Sequence, residues 1–117
     1  VSVLGITGVQ EEQRLRETAA AIESSARDAL LDAIAKHRPI HLGLDGGLGG
    51  AEGGSIEVKR HGEEKFREPR TGEVWEFSPT GVCEPIEVRV TTSGGIIELG
   101  FDPLTAVARK KNIIVNG

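Results

Sequence analysis

A chain of 117 residues provides one domain with a single hydrophobic core and excludes two enzyme-sized domains. Its apolar share of 38%, together with 16 glycines, is that of an ordinary globular protein, and three Phe, one Trp and no Tyr argue against an aromatic-lined ligand pocket. The net charge of -4 lacks the positive excess with which nucleic-acid binders neutralise phosphate.

The start of the chain is apolar. Residues 1–9 carry no charge, and the first residue is Val1 rather than Met. No apolar run reaches the roughly 20 residues of a membrane span, and no secretory signal pattern is present. An uncharged apolar segment in this position indicates that a preceding part of the protein was removed.

A long amphipathic helix is predicted over residues 10–37. Its apolar positions are separated by alternating steps of four and three, as on one face of a helix, and charged residues occupy the other face. Pro39 disfavours helical geometry at Arg38, so the helix should end near His37. The predicted core face consists of Leu15, Ala19, Ile22, Ala26 and Leu30.

Short strands are predicted after the helix, because the apolar period changes from 3.6 to 2 beyond Pro39. Ser93 and Gly94 have the composition of a hairpin turn, and the glycine-rich segment 45–54 and the charged segment 61–72 are predicted loops. One helix followed only by strands predicts an α+β fold, with the helix packed against an antiparallel β-sheet. The predicted strands are 40–44, 55–60, 74–77, 86–92, 95–101 and a short closing strand at 111–116.

No motif predicts catalysis or a cofactor. The glycine-rich segment does not fit G-x-G-x-x-G, because Glu52 stands where the third glycine is needed. Asp45 and Glu52 offer too few oxygens for calcium, the three histidines lack zinc-ligand spacing, and no serine lies in a G-x-S-x-G elbow. Cys83 has no partner for an intramolecular disulfide and is expected to be a buried or turn thiol.

Several short motifs together resemble a known family. The apolar start, the Ala-rich helix with Arg27, and a strand entered through Arg38-Pro39-Ile40 are similar to type IV pilin-like proteins, and more narrowly to minor pseudopilins of the H type and their FimT-like relatives. The segment Phe77-Ser78-Pro79-Thr80-Gly81 is similar to the family's Phe-Ser-Pro-x-Gly segment. Residues 101–105 are similar to its closing turn, although Ala106 follows where the family usually has glycine.

The resemblance implies a structural role. Residues 1–9 would be the remnant of a membrane and filament helix, and residues 10–117 the head domain, with a spine helix at about 10–37 and a sheet at about 39–116. Such a minor pseudopilin would be anchored in the inner membrane with its head in the periplasm, would join a type II secretion or type IV pilus-like filament with other pilin or pseudopilin subunits, and would take part in protein export. The residues implied in assembly are Val3, Leu4, Ile6 and Val9.

Two other functions stay open at this point. A basic patch would bind DNA, as FimT-like minor pilins do in natural transformation, although the acidic total charge weakens this hypothesis. The other alternative, which is not a filament subunit, is a small periplasmic binding module or enzyme. We expect no cofactor, no metal and no small-molecule substrate for the pseudopilin. The patch comprises Arg109, Lys110 and Lys111, together with Lys59 and Arg60.

Overall fold

The computed structural model of the chain describes residues 2–44, 55–92 and 94–115, and their side chains from Gln10 onward except that of Glu11. It has an α+β arrangement in which one N-terminal helix packs on antiparallel sheets, as the order of elements predicted. The elements are α1 (Ser2–Lys36), β1 (Ile40–Gly43), β2 (Ser55–Lys59), β3 (Val74–Phe77), β4 (Glu87–Thr92), β5 (Gly95–Phe101) and β6 (Ala108–Val115).

The strands form two sheets rather than one. β1 and β3 pair in a two-stranded sheet, and the other four form an antiparallel sheet in the order β2-β4-β5-β6. Within the larger sheet Val58 lies opposite Val88, and Val88 lies opposite Leu99. Because side chains on paired positions share a face, these residues form an apolar row directed into the core.

The closing strand differs from its prediction. β6 begins at Ala108, three residues before the predicted start at Lys111, and pairs with β5 along that whole length. A bulge between Gly100 and Phe101 interrupts the pairing near its start. Charged residues occupy successive positions here, so the early part of β6 lacks the alternation that predicts a strand. The predicted glycine-rich loop at 45–54 lies outside the described residues.

The core lies between α1 and the sheets. All five residues of the predicted helix core face are buried, and the alanines among them let the sheets approach the helix closely. The Trp75 ring lies 4.7 Å from that of Phe77 and 4.9 Å from that of Phe101, between ring centres. Its indole N–H donates a hydrogen bond of 2.8 Å to the Glu84 carbonyl oxygen, so the largest core side chain keeps no unpaired polar atom.

The end of α1 has the hydrogen bonds of a Schellman motif. The amide of His37 donates to the Ile34 carbonyl at 3.4 Å, and the amide of Arg38 donates to the Ala33 carbonyl at 3.3 Å. His37 adopts a φ of 54°, a region that glycine favours and other residues enter at a cost. The helix therefore ends within one residue of the predicted position, but with an unfavourable residue in its cap.

His37→Gly is expected to stabilise the protein by about 1 kcal/mol, because glycine occupies this backbone region without steric cost. The imidazole is exposed, so its loss removes no core packing. Urea denaturation followed by circular dichroism measures the change. His37→Ala is the matched control and should stay close to the wild type, since alanine retains the unfavourable φ. A stabilisation of equal size in both variants would contradict the explanation.

The segment after β3 forms a tight turn. Gly81 donates its amide to the Ser78 carbonyl at 3.0 Å, and Ser78 donates its own amide to the Val82 carbonyl at 2.8 Å. Gly81 has a φ of 91°, which explains why the Ser-Pro-Thr-Gly sequence ends in glycine. Ala106 adopts a φ of 56° although it carries a side chain. Its backbone has the conformation for which glycine is the usual residue.

Candidate functional site

The predicted assembly residues lie in the first turns of α1. Val3, Leu4, Ile6 and Val9 are all helical, and the helix continues from them to Lys36 without interruption. Their side chains lie outside the described part of the structure. At 1.5 Å per residue, 35 residues extend about 52 Å, which nearly equals the longest dimension of the molecule, 54 Å. The helix therefore sets the length of the molecule.

The head domain meets α1 from Leu15 onward. Among the described side chains of the helix, Leu15 is the first that is buried, whereas Gln10, Gln13 and Arg14 are exposed. At the same level Gly95 begins β5, and a Cβ added there would lie 2.9 Å from the Leu15 Cδ1 atom. The 13 helical residues before Leu15 extend about 20 Å.

An ion pair joins the middle of α1 to the edge of the larger sheet. The Lys111 ammonium lies 3.0 Å from a Glu23 carboxylate oxygen, which connects residues 88 positions apart in the sequence. Lys111 lies opposite the buried Leu99, so its side chain is on the face of the sheet that packs against the helix. The pair links β6 to the helix, although the Lys111 side chain remains 40% exposed.

Four residues of the predicted basic patch meet on the other side. A groove of about 380 Å³ is lined by Lys59, Arg60, Arg109 and Lys110, together with apolar residues of β5 and the loop before β4. Lys111 is absent from the groove, because its side chain points to the opposite face of the strand from that of Lys110. Arg109 lies with Lys110 at the bulge, where this alternation is interrupted. The structure thus brings together four of the five predicted residues and separates the fifth from them.

Each base in the groove already faces a carboxylate. Lys59 and Lys110 approach the two oxygens of Glu87 at 2.8 and 3.2 Å. Lys110 reaches Glu87 across Gly100, which has no side chain to separate them. The hydrogen bond from Lys59 is the main reason that the pKa of Glu87 is lowered. The carboxylate therefore stays charged and offsets one of the two positive charges beside it.

The two arginines of the groove are paired in the same way. The Arg109 Nε atom lies 2.5 Å from an oxygen of the nearly buried Asp102, and the Arg60 Nε atom donates to Glu84 at 2.8 Å. Asp102 also accepts a hydrogen bond of 2.7 Å from the Leu104 amide. Because each of the four bases contacts a carboxylate of the same chain, most of their positive charge is offset, and the arrangement adds no support to the DNA hypothesis.

A larger network of charges includes Arg60 and Glu63 of the groove, and the sequence did not reveal it. Glu73 receives hydrogen bonds from two arginines, at 2.7 Å from Arg67 and 3.2 Å from Arg60. Arg67 also donates to Glu63 at 3.0 Å, and Arg60 makes a bidentate contact with Glu84. The network connects the end of β2, the charged loop and the start of β3. Its acidic and basic residues are mixed along the sequence, as in any solvent-exposed loop. The composition therefore did not predict a cluster of ion pairs.

Glu73 is the centre of this network. Its side chain is only 7% exposed, and the hydrogen bonds from Arg67, with further donors from Arg70 and Arg60, lower its pKa to about 2. The same contact with Glu73 is the main cause of a raised pKa at Arg67. The charged form of Glu73 is therefore stabilised in the folded state and holds the loop at 61–72 against β3.

The protein is expected to lose stability as the pH falls from about 4.5 towards 2. Glu73 is protonated in the unfolded chain near its ordinary pKa, but in the folded chain only near 2. Its contribution of about 3 kcal/mol is present in full above pH 4.5, falls as the pH decreases from 4.5 to 2, and is absent below pH 2. Urea denaturation at a series of pH values measures it. Glu73→Gln should flatten the dependence, whereas the exposed control Glu64→Gln should retain it. An unchanged slope in Glu73→Gln would contradict the assignment.

The remaining candidates for chemistry do not form a reactive cluster. Cys83 is buried, as predicted, and desolvation raises the pKa of its thiol to about 11, so the thiol is protonated at neutral pH. His41 lies 3.0 Å from Glu76 on the exposed surface of the small sheet. Within residues 2–44, 55–92 and 94–115 no group of three metal-ligating side chains is found. Asp45 and Glu52 lie outside that range.

Comparison of the chain with protein-family models, with curated proteins and with solved structures finds no match. In the described residues, no helix combines the length and the apolar character that crossing a membrane requires. The functional assignment therefore depends on the residues and the geometry of this chain.

Proposed function

We propose that this protein is a structural subunit that assembles through the N-terminal part of α1, as a minor pseudopilin of a type II secretion or type IV pilus-like filament. The observation that carries the proposal is the continuity of α1, which runs from Ser2 through the head to Lys36 while its described buried side chains begin at Leu15. A helix that extends about 20 Å beyond its first core residue supports a role in joining subunits.

The character of this extension also supports assembly. Residues 1–9 are uncharged, and Val3, Leu4, Ile6 and Val9 supply large apolar side chains at the start of the helix. Burying an apolar side chain of this size against another helix contributes about 1.5–3 kcal/mol. Packing among several copies would bury these residues, whereas the head domain would stay folded on the core face from Leu15 onward.

The gene upstream of the Val1 codon provides the first test. A short basic leader that ends in glycine, a glutamate at the fifth mature position and an apolar run that continues to Val9 are expected. A cleavable secretory signal, or a methionine directly before Val1, would contradict the proposal. Sequencing the natural reading frame decides between these outcomes without any activity assay.

Cysteine cross-linking in cells tests assembly itself. Ile6→Cys, expressed from the full natural gene, is expected to form disulfide-linked dimers on mild oxidation, because copies would pack along this part of α1. Gln13→Cys is the matched control, on an exposed position of the same helix next to the head. The buried Cys83 gives the background level in the unmodified protein. If Ile6→Cys forms no more disulfide-linked dimer than Gln13→Cys, the proposal is overturned.

A further inference from the structure

The two edges of the four-stranded sheet differ in what covers them. At the β2 edge, the amide of Val58 donates to the Arg67 carbonyl at 2.7 Å, and the amide of Arg67 donates back to Val58 at 2.9 Å. At the opposite edge, β6 pairs with β5 and with no other strand of the described residues. With eight residues, β6 is also the longest strand described. Among the described residues, the charged loop therefore pairs with one edge of the sheet, and the other edge, at β6, is open.

The backbone of β6 shows which groups face this open edge. A Cβ added to Gly95 would lie 2.1 Å from the Ile114 carbonyl oxygen, so this carbonyl points towards β5. Backbone groups of successive strand residues point alternately to the two sides of an antiparallel strand. Lys111, Ile113 and Val115 therefore direct their N–H and C=O groups away from β5. These are the positions at which an added strand forms hydrogen bonds.

The positive charge along this edge favours an added strand that carries acidic residues. Arg109, Lys110 and Lys111 are consecutive, and no acidic residue follows Asp102. The Arg109 side chain is 80% exposed and that of Lys110 is 58% exposed, although each contacts one carboxylate of its own chain. Ammonium and guanidinium groups carry several donors, so each can bind a second carboxylate from outside.

We propose that the open edge of β6 binds an extended acidic segment of a partner protein, which adds to the sheet as a further strand. Backbone hydrogen bonds to Lys111, Ile113 and Val115 provide affinity, and the exposed side chains of Arg109 and Lys110 favour carboxylates. A second copy of this chain fits less well, because its own β6 brings three more positive charges to the same edge. The proposal does not depend on the filament function.

The test uses the whole chain, labelled with ¹⁵N, and two synthetic peptides of eight residues, the length of β6. One peptide alternates Glu with Thr, and the other alternates Lys with Thr. The Glu peptide is expected to slow amide hydrogen exchange at Lys111, Ile113 and Val115, while Asn112 and Ile114 change little because they already pair with β5. Unchanged exchange at the three outward amides, with peptide bound, would overturn the proposal.

Substitutions separate the role of charge from that of the backbone. Lys110→Gln should weaken binding of the Glu peptide several-fold, and Glu87 keeps its contact with Lys59 in this variant. Lys65→Gln removes the same charge from an exposed position elsewhere and should leave the binding unchanged. Ile113→Pro removes one outward N–H and should abolish the added protection. If Ile113→Pro does not fold, the comparison of Lys110→Gln with Lys65→Gln still tests whether this edge selects an acidic strand.

Two outcomes would identify a different occupant and overturn the proposal. Equal affinity for a single-stranded DNA oligonucleotide, with no protection of the outward amides, would show binding of any polyanion. Protection of these amides without peptide, rising with protein concentration together with a doubled mass in sedimentation, would show that a second copy occupies the edge.

Discussion

Gly95→Ala is expected to destabilise the fold by about 2–4 kcal/mol. The new Cβ would lie 2.1 Å from the Ile114 carbonyl oxygen and 2.9 Å from the Leu15 Cδ1 atom. The carbonyl belongs to the backbone of β6 and cannot move without disturbing the pairing with β5. The φ of 155° adds strain for any residue with a side chain.

Urea denaturation monitored by the fluorescence of Trp75, the single and fully buried tryptophan, measures this effect. Gly62→Ala is the matched control, because Gly62 also has a positive φ, of 89°, but no atom lies within 4 Å of its added Cβ. Its cost should be the backbone strain alone, about 1 kcal/mol. Equal losses in the two variants would show that the close approach of helix, β5 and β6 is not rigid.

The strands that the sequence predicted best are those with one face in the core. β3 and β5 have the predicted bounds, Val74–Phe77 and Gly95–Phe101, because buried and less buried positions alternate along each of them. The core face of α1 was predictable for the same reason, since its apolar period matches the helical one. When one face of a helix or strand is buried, apolar residues recur in the sequence with the period of that element.

Features that depend on contacts between different elements of the fold have no periodic pattern in the sequence. Glu73 meets Arg60 and Arg67 only because β2, the charged loop and β3 come together in space. The early part of β6 carries Lys110 outward and Lys111 towards Glu23, so both faces are polar and the strand period is lost. Once a strand is assigned there, the alternating direction of successive side chains places Lys110 and Lys111 on opposite faces. No other signal of it is present in the sequence.

The proposed assembly segment shows a similar limit. The absence of charge over residues 1–9 was visible in the sequence, whereas the continuity of one helix from Ser2 to Lys36 required the structure. The predicted helix began at residue 10, because the first charged residue is Glu11. Only from there does a polar face alternate with an apolar one. Amphipathic periodicity identifies the part of a helix that packs on a head domain, and it gives no signal where apolar residues occupy all sides.

Ile22→Ala is expected to cost about 2–5 kcal/mol, as for other large side chains removed from a close-packed core. Ile22 is fully buried in the middle of the α1 core face, and a truncated side chain would leave a cavity between helix and sheet. Leu31→Ala is the matched control on the same helix, because the Leu31 side chain is 55% exposed. Its cost should stay below about 1 kcal/mol. Denaturation in urea, followed by circular dichroism, compares the two variants.

This pair of variants also separates folding from assembly. Ile22 lies seven residues beyond Leu15, inside the head, so its truncation weakens the fold without altering the apolar residues before Leu15. Under conditions in which Ile22→Ala is still folded, cross-linking through Ile6→Cys should match that of the protein with an intact core. Loss of cross-linking in the folded variant would show that the head, and not the N-terminal part of α1, makes the contact between subunits.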